Sequence, residues 1–410
     1  MRSSKAKLLP LRSSSFASLL VLTAGLSACI QSTPSASQSA TGTEPAPPSE
    51  PVSPEPAAAP QPAAVGEGIA DTGIDLSKVM IEATDDAPPV APPDPAAIDP
   101  TVGGVTQPSQ EDVVIDPAAL AKAAEDDATL AKDSPLRAQV LLERAFFSPG
   151  EIDGAVGSNQ ARAVTAYQKA HDLPATGELD AATWERLNAD TAPILVEYTL
   201  TQDDVDGPFR EIPADTMAKS QLDALPYSSV EEALGEKFHA SPALLKKLNP
   251  DVDFSVAGTM LTVPHVVAAE QLPEPAKVVV SKSLSALQLL DDSGKVLGQF
   301  PVTTGSAQFP LPIGEWKING VARDPVWHFD PKLIAGTKKT DRKAEIPAGP
   351  NNPVGTTWID LSKDHYGIHG TAEPAKIGKS ESNGCIRMTN WSVEALAKVV
   401  SPGMPATLTD

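Results

Sequence analysis

The sequence predicts a multidomain chain with a long disordered N-terminal tether, a small three-helix module, a small α+β linker module and a C-terminal mostly-β domain. Three observations separate these parts. Residues 31–135 hold 18 of the 41 prolines and no aromatic residue. Apolar side chains recur with a helical period over 136–190, and strand-like runs bounded by turn residues dominate 276–410.

At the N-terminus, Arg2, Lys5, Lys7 and Arg12 precede an apolar run from Phe16 to Leu26. That run is too short to span a bilayer, so residues 1–28 read as a secretory signal peptide. Its end, Leu26-Ser27-Ala28-Cys29, resembles the bacterial lipobox. The resemblance implies lipidation of Cys29 and a periplasmic protein anchored stably to a membrane, which takes more than one acyl signal. By the same habit Ile30, which is not aspartate, favours the outer membrane. Plain cleavage nearby, with Cys29 lost or unmodified, is the alternative.

The segment 29–135 cannot bury a core. Its 18 acidic residues against three lysines supply about −15 of the chain's net −21, so acidity belongs to the spacer and says little about the substrate. Proline-rich chain is stiff, at up to ~3 Å per residue, and suits a long spacer. No nucleic-acid partner is expected.

Over 136–190, Val140, Leu141 and Ala145, then Ala163, Val164 and Tyr167, then Trp184 and Leu187 form three helical stripes. Between them lie Gly150-Glu151-Ile152-Asp153-Gly154 and Ala175-Thr176-Gly177-Glu178-Leu179-Asp180, where Asp caps helices and Gly accepts positive φ. Ile152, Asp153, Gly154, Val164, Tyr167, Gln168, Thr176, Gly177 and Asp180 resemble the pattern of the peptidoglycan-binding-domain-1 family, which implies glycan binding. A helical spacer is the competing reading.

Residues 193–266 form the next module. Val230, Ala233 and Leu234, then Ala243 to Pro250, then the strand-like Met260-Leu261-Thr262-Val263-Pro264 look like a degenerate LysM repeat, a glycan-binding fold. The strand Val196 to Leu200 is a candidate first strand, but more than twenty-five residues intervene, far beyond an ordinary connection. A structural linker is the alternative.

In 276–410, Val278 to Val280, Ala286 to Leu290, Val296 to Val302 and Trp316 to Val321 are strand-like. Asp292-Ser293-Gly294-Lys295 reads as a hairpin turn, and Ser392 to Val399 as a helix. Five ordered blocks then resemble the L,D-transpeptidase catalytic domain, also called YkuD. They are Phe300-Pro301-Val302-Thr303-Thr304-Gly305, Leu311-Pro312-Ile313-Gly314, Asn351-Asn352-Pro353-Val354-Gly355, Ile368-His369-Gly370-Thr371 and Ser382-Asn383-Gly384-Cys385-Ile386-Arg387.

The residues carry the matching chemistry. With Cys29 at the signal's end, Cys385 is the only possible free thiol, and outside the cytoplasm such a thiol is either deeply buried or used. A thiol of pKa about 8.5 becomes a competent nucleophile beside an imidazole. His365 and His369 are the local choices, and the resemblance selects His369 as base. It also implies that Gly370, by its backbone carbonyl, fixes the imidazole tautomer. Backbone N–H groups of Asn383, Gly384 and Cys385 are candidates for an oxyanion hole. Arg387 could hold a substrate carboxylate or brace the loop. Ser382 and Thr371 complete the candidate substrate-binding set, Ser382 more as a loop-fixing hydroxyl. One Cys and one or two His are too few for a closed zinc site, and no cofactor has a motif.

The resemblance implies an acyltransferase in which Cys385 forms a thioester with a tetrapeptide stem of peptidoglycan. Its acceptors are a neighbouring stem (3-3 cross-linking), an envelope lipoprotein or a free D-amino acid. The alternatives are an L,D-carboxypeptidase or cysteine peptidase, and a non-catalytic peptidoglycan-binding lipoprotein.

Overall fold

A computed structural model describes residues 130–334 and 336–410. The signal peptide, Cys29 and the tether up to residue 129 lie outside the described residues. Among those described, no helix is long and apolar enough to cross a membrane.

Helix α1 (Pro135–Arg144) starts where the Ser134 side chain accepts the Arg137 N–H, with Pro135 at the first position. Helices α2 (Ser158–Ala170) and α3 (Ala181–Leu187) follow, the latter capped by Asp180 on the Thr183 N–H at 2.8 Å. The residues that carry the family pattern here are structural struts. Fully buried Gln168 donates to Glu178 O (2.8 Å) and Thr183 Oγ1 (2.9 Å) and accepts from the Gly177 N–H (2.9 Å). Asp153 Oδ1 accepts from Gln139 Nε2 (2.8 Å) and the Ala155 N–H (2.9 Å). Gly154 and Gly177 have φ of 73° and 75°, which an L side chain rarely adopts.

The next segment runs β1 (Leu195–Thr199), α4 (Gln202–Asp206), α5 (Thr216–Lys219), α6 (Val230–Lys237), α7 (Pro242–Leu248) and β2 (Met260–Pro264). Strands β1 and β2 do pair, antiparallel from Leu195 opposite Pro264 to Thr199 opposite Met260. The long intervening stretch is therefore no obstacle. It folds as an insertion whose Leu225, with Ile212, Met217 and Leu222, packs on Phe329 and Ile346 of the C-terminal domain. Nor is there a break in packing between 190 and 193. Buried side chains from Leu136 to Val266 form one cluster, so the helical and middle segments share a core. Arg144 clasps the junction, donating to Pro193 O at 2.8 Å and Ala192 O at 3.2 Å.

The C-terminal domain contains β3 (Lys277–Ser281), β4 (Ala286–Leu290), β5 (Val296–Pro301), β6 (Gly314–Arg323), β7 (Trp327–Phe329), β8 (Ala344–Ile346), β9 (Thr357–Leu361), β10 (Gly367–His369), β11 (Ile386–Arg387), α8 (Asn390–Val399) and β12 (Pro405–Thr409). Eight strands form one sheet in the order β11-β10-β9-β6-β12-β3-β4-β5, and β7 pairs with β8 apart from it. The pairs β10/β11 and β12/β3 are parallel and the others antiparallel. Its apolar face, including Val278, Leu287, Ile359, Ile368 and Ile386, packs with Val393 and Leu396 of α8.

The sheet's two ends meet. Thr303, just beyond β5, exchanges both backbone hydrogen bonds with Arg387 of β11, at 3.0 and 2.9 Å. Further along β5, Gln299 pairs with Phe147 of the helical segment, which covers the rest of that edge.

Gln168→Leu should cost about 2–4 kcal/mol, because it removes the three hydrogen bonds of a fully buried amide, to Glu178 O, Thr183 Oγ1 and the Gly177 N–H. Urea unfolding checks this, and a loss under about 1 kcal/mol would contradict the strut role.

Candidate active site

The candidate site lies where the sheet closes. In β10 and β11, Ile368 and Ile386 are register partners and point into the core, so the alternating Gly367 and His369, with Cys385 and Arg387, share the opposite face. His369 is paired with Arg387. That brings Cys385 and His369 diagonally across adjacent strands from sixteen residues apart in sequence.

The path into Cys385 is a tight turn. Gly384 has φ of 107°, and a Cβ there would sit 2.9 Å from the Tyr366 ring. Buried Ser382 ties the turn together. Its hydroxyl donates to Cys385 O at 2.6 Å and accepts from the Gly384 N–H at 3.1 Å. Its N–H donates to Thr304 O at 2.9 Å, and its carbonyl accepts from the Ser306 N–H at 3.2 Å. Ser382 thus braces the nucleophile loop, in keeping with the loop-fixing hydroxyl expected of it. One expectation changes: the Gly384 N–H is committed to Ser382 instead of facing an oxyanion. The other two groups of the expected set are the Asn383 and Cys385 N–H.

His369 is buried, with its ring stacked on Trp358 at 5.4 Å and 14°. Trp358 is its register partner in β9, and Gly367 leaves room for the indole, since a Cβ there would lie 2.4 Å from it. Nδ1 lies 2.7 Å from Gly370 O. A carbonyl can only accept, so Nδ1 carries the proton and Nε2 is left with its lone pair. Thr371, also expected to contact substrate, is turned into the loop. Its N–H donates to Asn390 Oδ1 (3.0 Å), and its hydroxyl accepts from the Glu373 N–H (3.2 Å).

His365 sits exposed in a turn at φ of 67°, and its contribution is a carbonyl 3.7 Å from Cys385 Sγ, which accepts the thiol proton. Burial pushes the thiol above its ordinary value, opposed by a Gly367 backbone donor and the Arg387 charge. Burial, reinforced by Arg387, lowers His369 to about 3 against the pull of Gly370 O. The resting pair is therefore a neutral thiol and a neutral imidazole. Arg387 Nε is buried and makes no hydrogen bond to any described residue. That favours a guanidinium held ready for an anion over one bracing the loop. Among the described residues no group of three or more metal-ligating side chains occurs.

Trp358 and Asn390 were not singled out in the sequence. The signal for Trp358 was the apolar alternation of Thr357–Leu361. For Asn390 there was none beyond its place at the start of a helix.

The L,D-transpeptidase catalytic domain profile matches residues 275–408, and the family described as "Putative peptidoglycan binding domain" matches 133–187. The chain is 30% identical to "Putative L,D-transpeptidase YkuD" of Bacillus subtilis (strain 168) over 177 residues, 43% of this chain and 91% of that protein. It is 34% identical to "Putative L,D-transpeptidase YqjB" of the same strain over 34% of this chain and 74% of that protein. It is 24% identical to "Probable L,D-transpeptidase YbiS" of Escherichia coli (strain K12) over 46% of this chain and 63% of that protein.

Two measurements check the electrostatics. Iodoacetamide labelling of Cys385 should accelerate only above the usual thiol pKa of about 8.5, and Arg387→Gln should move that midpoint higher. A midpoint below about 8 would contradict the neutral thiol. Because His369 is lowered from 6.5, it contributes stability above pH 6.5 that is lost as pH falls toward about 3. Urea unfolding should therefore show wild type losing more stability than His369→Gln between those limits.

Proposed function

The chain belongs to the YkuD family of L,D-transpeptidases, and from that premise we propose that it transfers peptidoglycan stem peptides through a thioester on Cys385. The observation that carries this reading is the placement of Cys385, His369 and Arg387 on one face of the β10/β11 pair, with His369 Nδ1 held by Gly370 O.

The imidazole Nε2 lone pair takes the Cys385 proton as sulfur attacks the carbonyl of the third stem residue. A C–S bond forms, and the carbonyl electron pair moves to oxygen, stabilised by the Cys385 and Asn383 N–H groups. As the oxyanion collapses, the C–N bond to the terminal D-alanine breaks, and the imidazolium returns its proton to the leaving nitrogen. An acceptor amine then attacks the thioester, loses its proton to Nε2 and releases the Cys385 thiol. A neutral resting imidazole suits this order, since it is a base before attack and an acid after it. Arg387 lies on the same face and suits a stem carboxylate.

We extend the reading to the rest of the chain. The family match at 133–187 supports attachment to peptidoglycan glycan. The lipobox-like Leu26 to Cys29 supports a lipid-anchored periplasmic protein on the outer membrane. Palmitate labelling lost in Cys29→Ala checks the anchor.

Purified protein incubated with disaccharide-tetrapeptide and an added D-amino acid should give exchange products by mass spectrometry. Cys385→Ala should abolish them, by at least about 1,000-fold. Only shortened stems would point to hydrolysis, and unchanged muropeptides to a binding protein.

A further inference from the structure

Asn390 opens helix α8 and is almost fully buried, 2% exposed. Its Oδ1 accepts from the Thr371 N–H at 3.0 Å and the Thr356 N–H at 3.3 Å, one donor from each of two loops. Two glycines make room for it. A Cβ on Gly370 would lie 2.1 Å from that oxygen, and one on Gly355 2.2 Å. The amide is thus wedged against the backbone that presents the Gly370 carbonyl, which in turn holds His369 Nδ1.

The other half of the amide leaves the catalytic domain. Asn390 Nδ2 donates to Glu236 Oε1 at 3.3 Å, with Pro350 O at 3.5 Å. Glu236 lies in the last turn of α6, in the middle segment. Beside this contact, Trp391 stacks on His239 at 5.0 Å and 12°, and His239 Nδ1 meets Glu143 Oε1 at 2.8 Å. Side chains of α1, the middle segment and α8 therefore form one chain of contacts that ends at the His369 loop. Burial and the neighbouring Glu394 and Glu232 push Glu236 well above the ordinary carboxylate range, so it meets Asn390 as an uncharged acid.

We propose that Asn390 and Glu236 are positioning residues for the transfer reaction: the Asn390 amide aims the Gly370 carbonyl that selects the His369 tautomer, and Glu236 of the middle segment locks that amide. The proposal rests on the L,D-transpeptidase reading for its rate effect, but not for its effect on His369.

The test uses the full chain and three variants, Asn390→Ala, Glu236→Leu and Glu236→Gln. It reads kcat and KM for D-amino acid exchange, together with nitrogen-15 NMR of histidine-labelled protein, with the His369 signals assigned by their loss in His369→Gln. Wild type should show His369 as the Nδ1–H tautomer. Asn390→Ala should lower kcat about 100-fold with KM within about twofold, the size of effect expected from misplacing a catalytic group, and should give a mixed tautomer. Glu236→Leu should lower kcat about tenfold with the same spectral change, and Glu236→Gln, which keeps an acceptor oxygen, should recover to within about threefold of wild type. A folded Asn390→Ala with kcat within about twofold of wild type, or with an unaltered His369 spectrum, overturns the proposal. Should Asn390→Ala not fold, equal rates for Glu236→Leu and Glu236→Gln overturn it instead. If wild type does not turn over stems, the L,D-transpeptidase reading fails, while the His369 tautomer in wild type and Glu236→Leu still decides the positioning role.

Discussion

The catalytic half of the molecule depends on one backbone pairing, the exchange of two hydrogen bonds between Thr303 and Arg387. An open sheet of eight strands has two edges with unpaired N–H and C=O groups, and closure removes them as in a barrel. Closure here joins the strand that precedes one loop to the very short strand that follows the nucleophile. Strand β11 is only two residues long, so it could not hold its place by pairing with β10 alone. Flanked by β10 and Thr303, it fixes Arg387 beside His369 and leaves Cys385 at the lip of the seam. The Gly305 to Ser382 bridge and the Ser382 hydroxyl then set the turn that feeds the cysteine into the strand.

The site combines groups that burial disfavours. A cation, a thiol and an imidazole share a small volume, and the protein keeps charge there low by leaving the latter two neutral. Arg387 is the exception, with a buried Nε that meets no acceptor among the described residues. An unmet donor of this kind costs stability in the free protein and is the sort of local conflict expected where a ligand is to bind. Trp358 contributes by excluding water from one face of His369 and preventing the ring from turning.

Much of the fold was legible because it is local. The Asp180 cap, the Asp292 to Lys295 turn and the strand-like runs of β3 to β6 all lie within a few residues of the side chains that specify them. Of the site, Cys385, His369 and Gly370 were legible through ordered blocks flanked by glycines. What was doubted or missed is non-local. The pairing of β1 with β2, offered by the sequence as a candidate only, spans some sixty residues, and its insertion is stabilised by contacts with β7 and β8 that no periodicity announces. Asn390 and Glu236 are 154 residues apart, and neither stands out until folding brings them together. Thr371 was placed with the substrate because its side chain is polar and near the base, while Ser382, placed there too, was read more as a loop brace. The structure turns both inward, since a loop in tight turns must first satisfy its own N–H groups.

The common core that runs from Leu136 to Val266 removes the hinge a two-module reading would assume. Phe147 on the β5 edge, with Asn159 Nδ2 donating to Ile377 O at 2.9 Å, fastens that body to the loop leading to Cys385. Tethered modules find a second site at an effective concentration set by linker length, but a body without a linker has only one offset. Any polymer gripped by the helical segment would be sampled at a fixed stride from the thiol, like a workpiece clamped in a jig. Selectivity among otherwise identical repeating units could then arise from spacing alone.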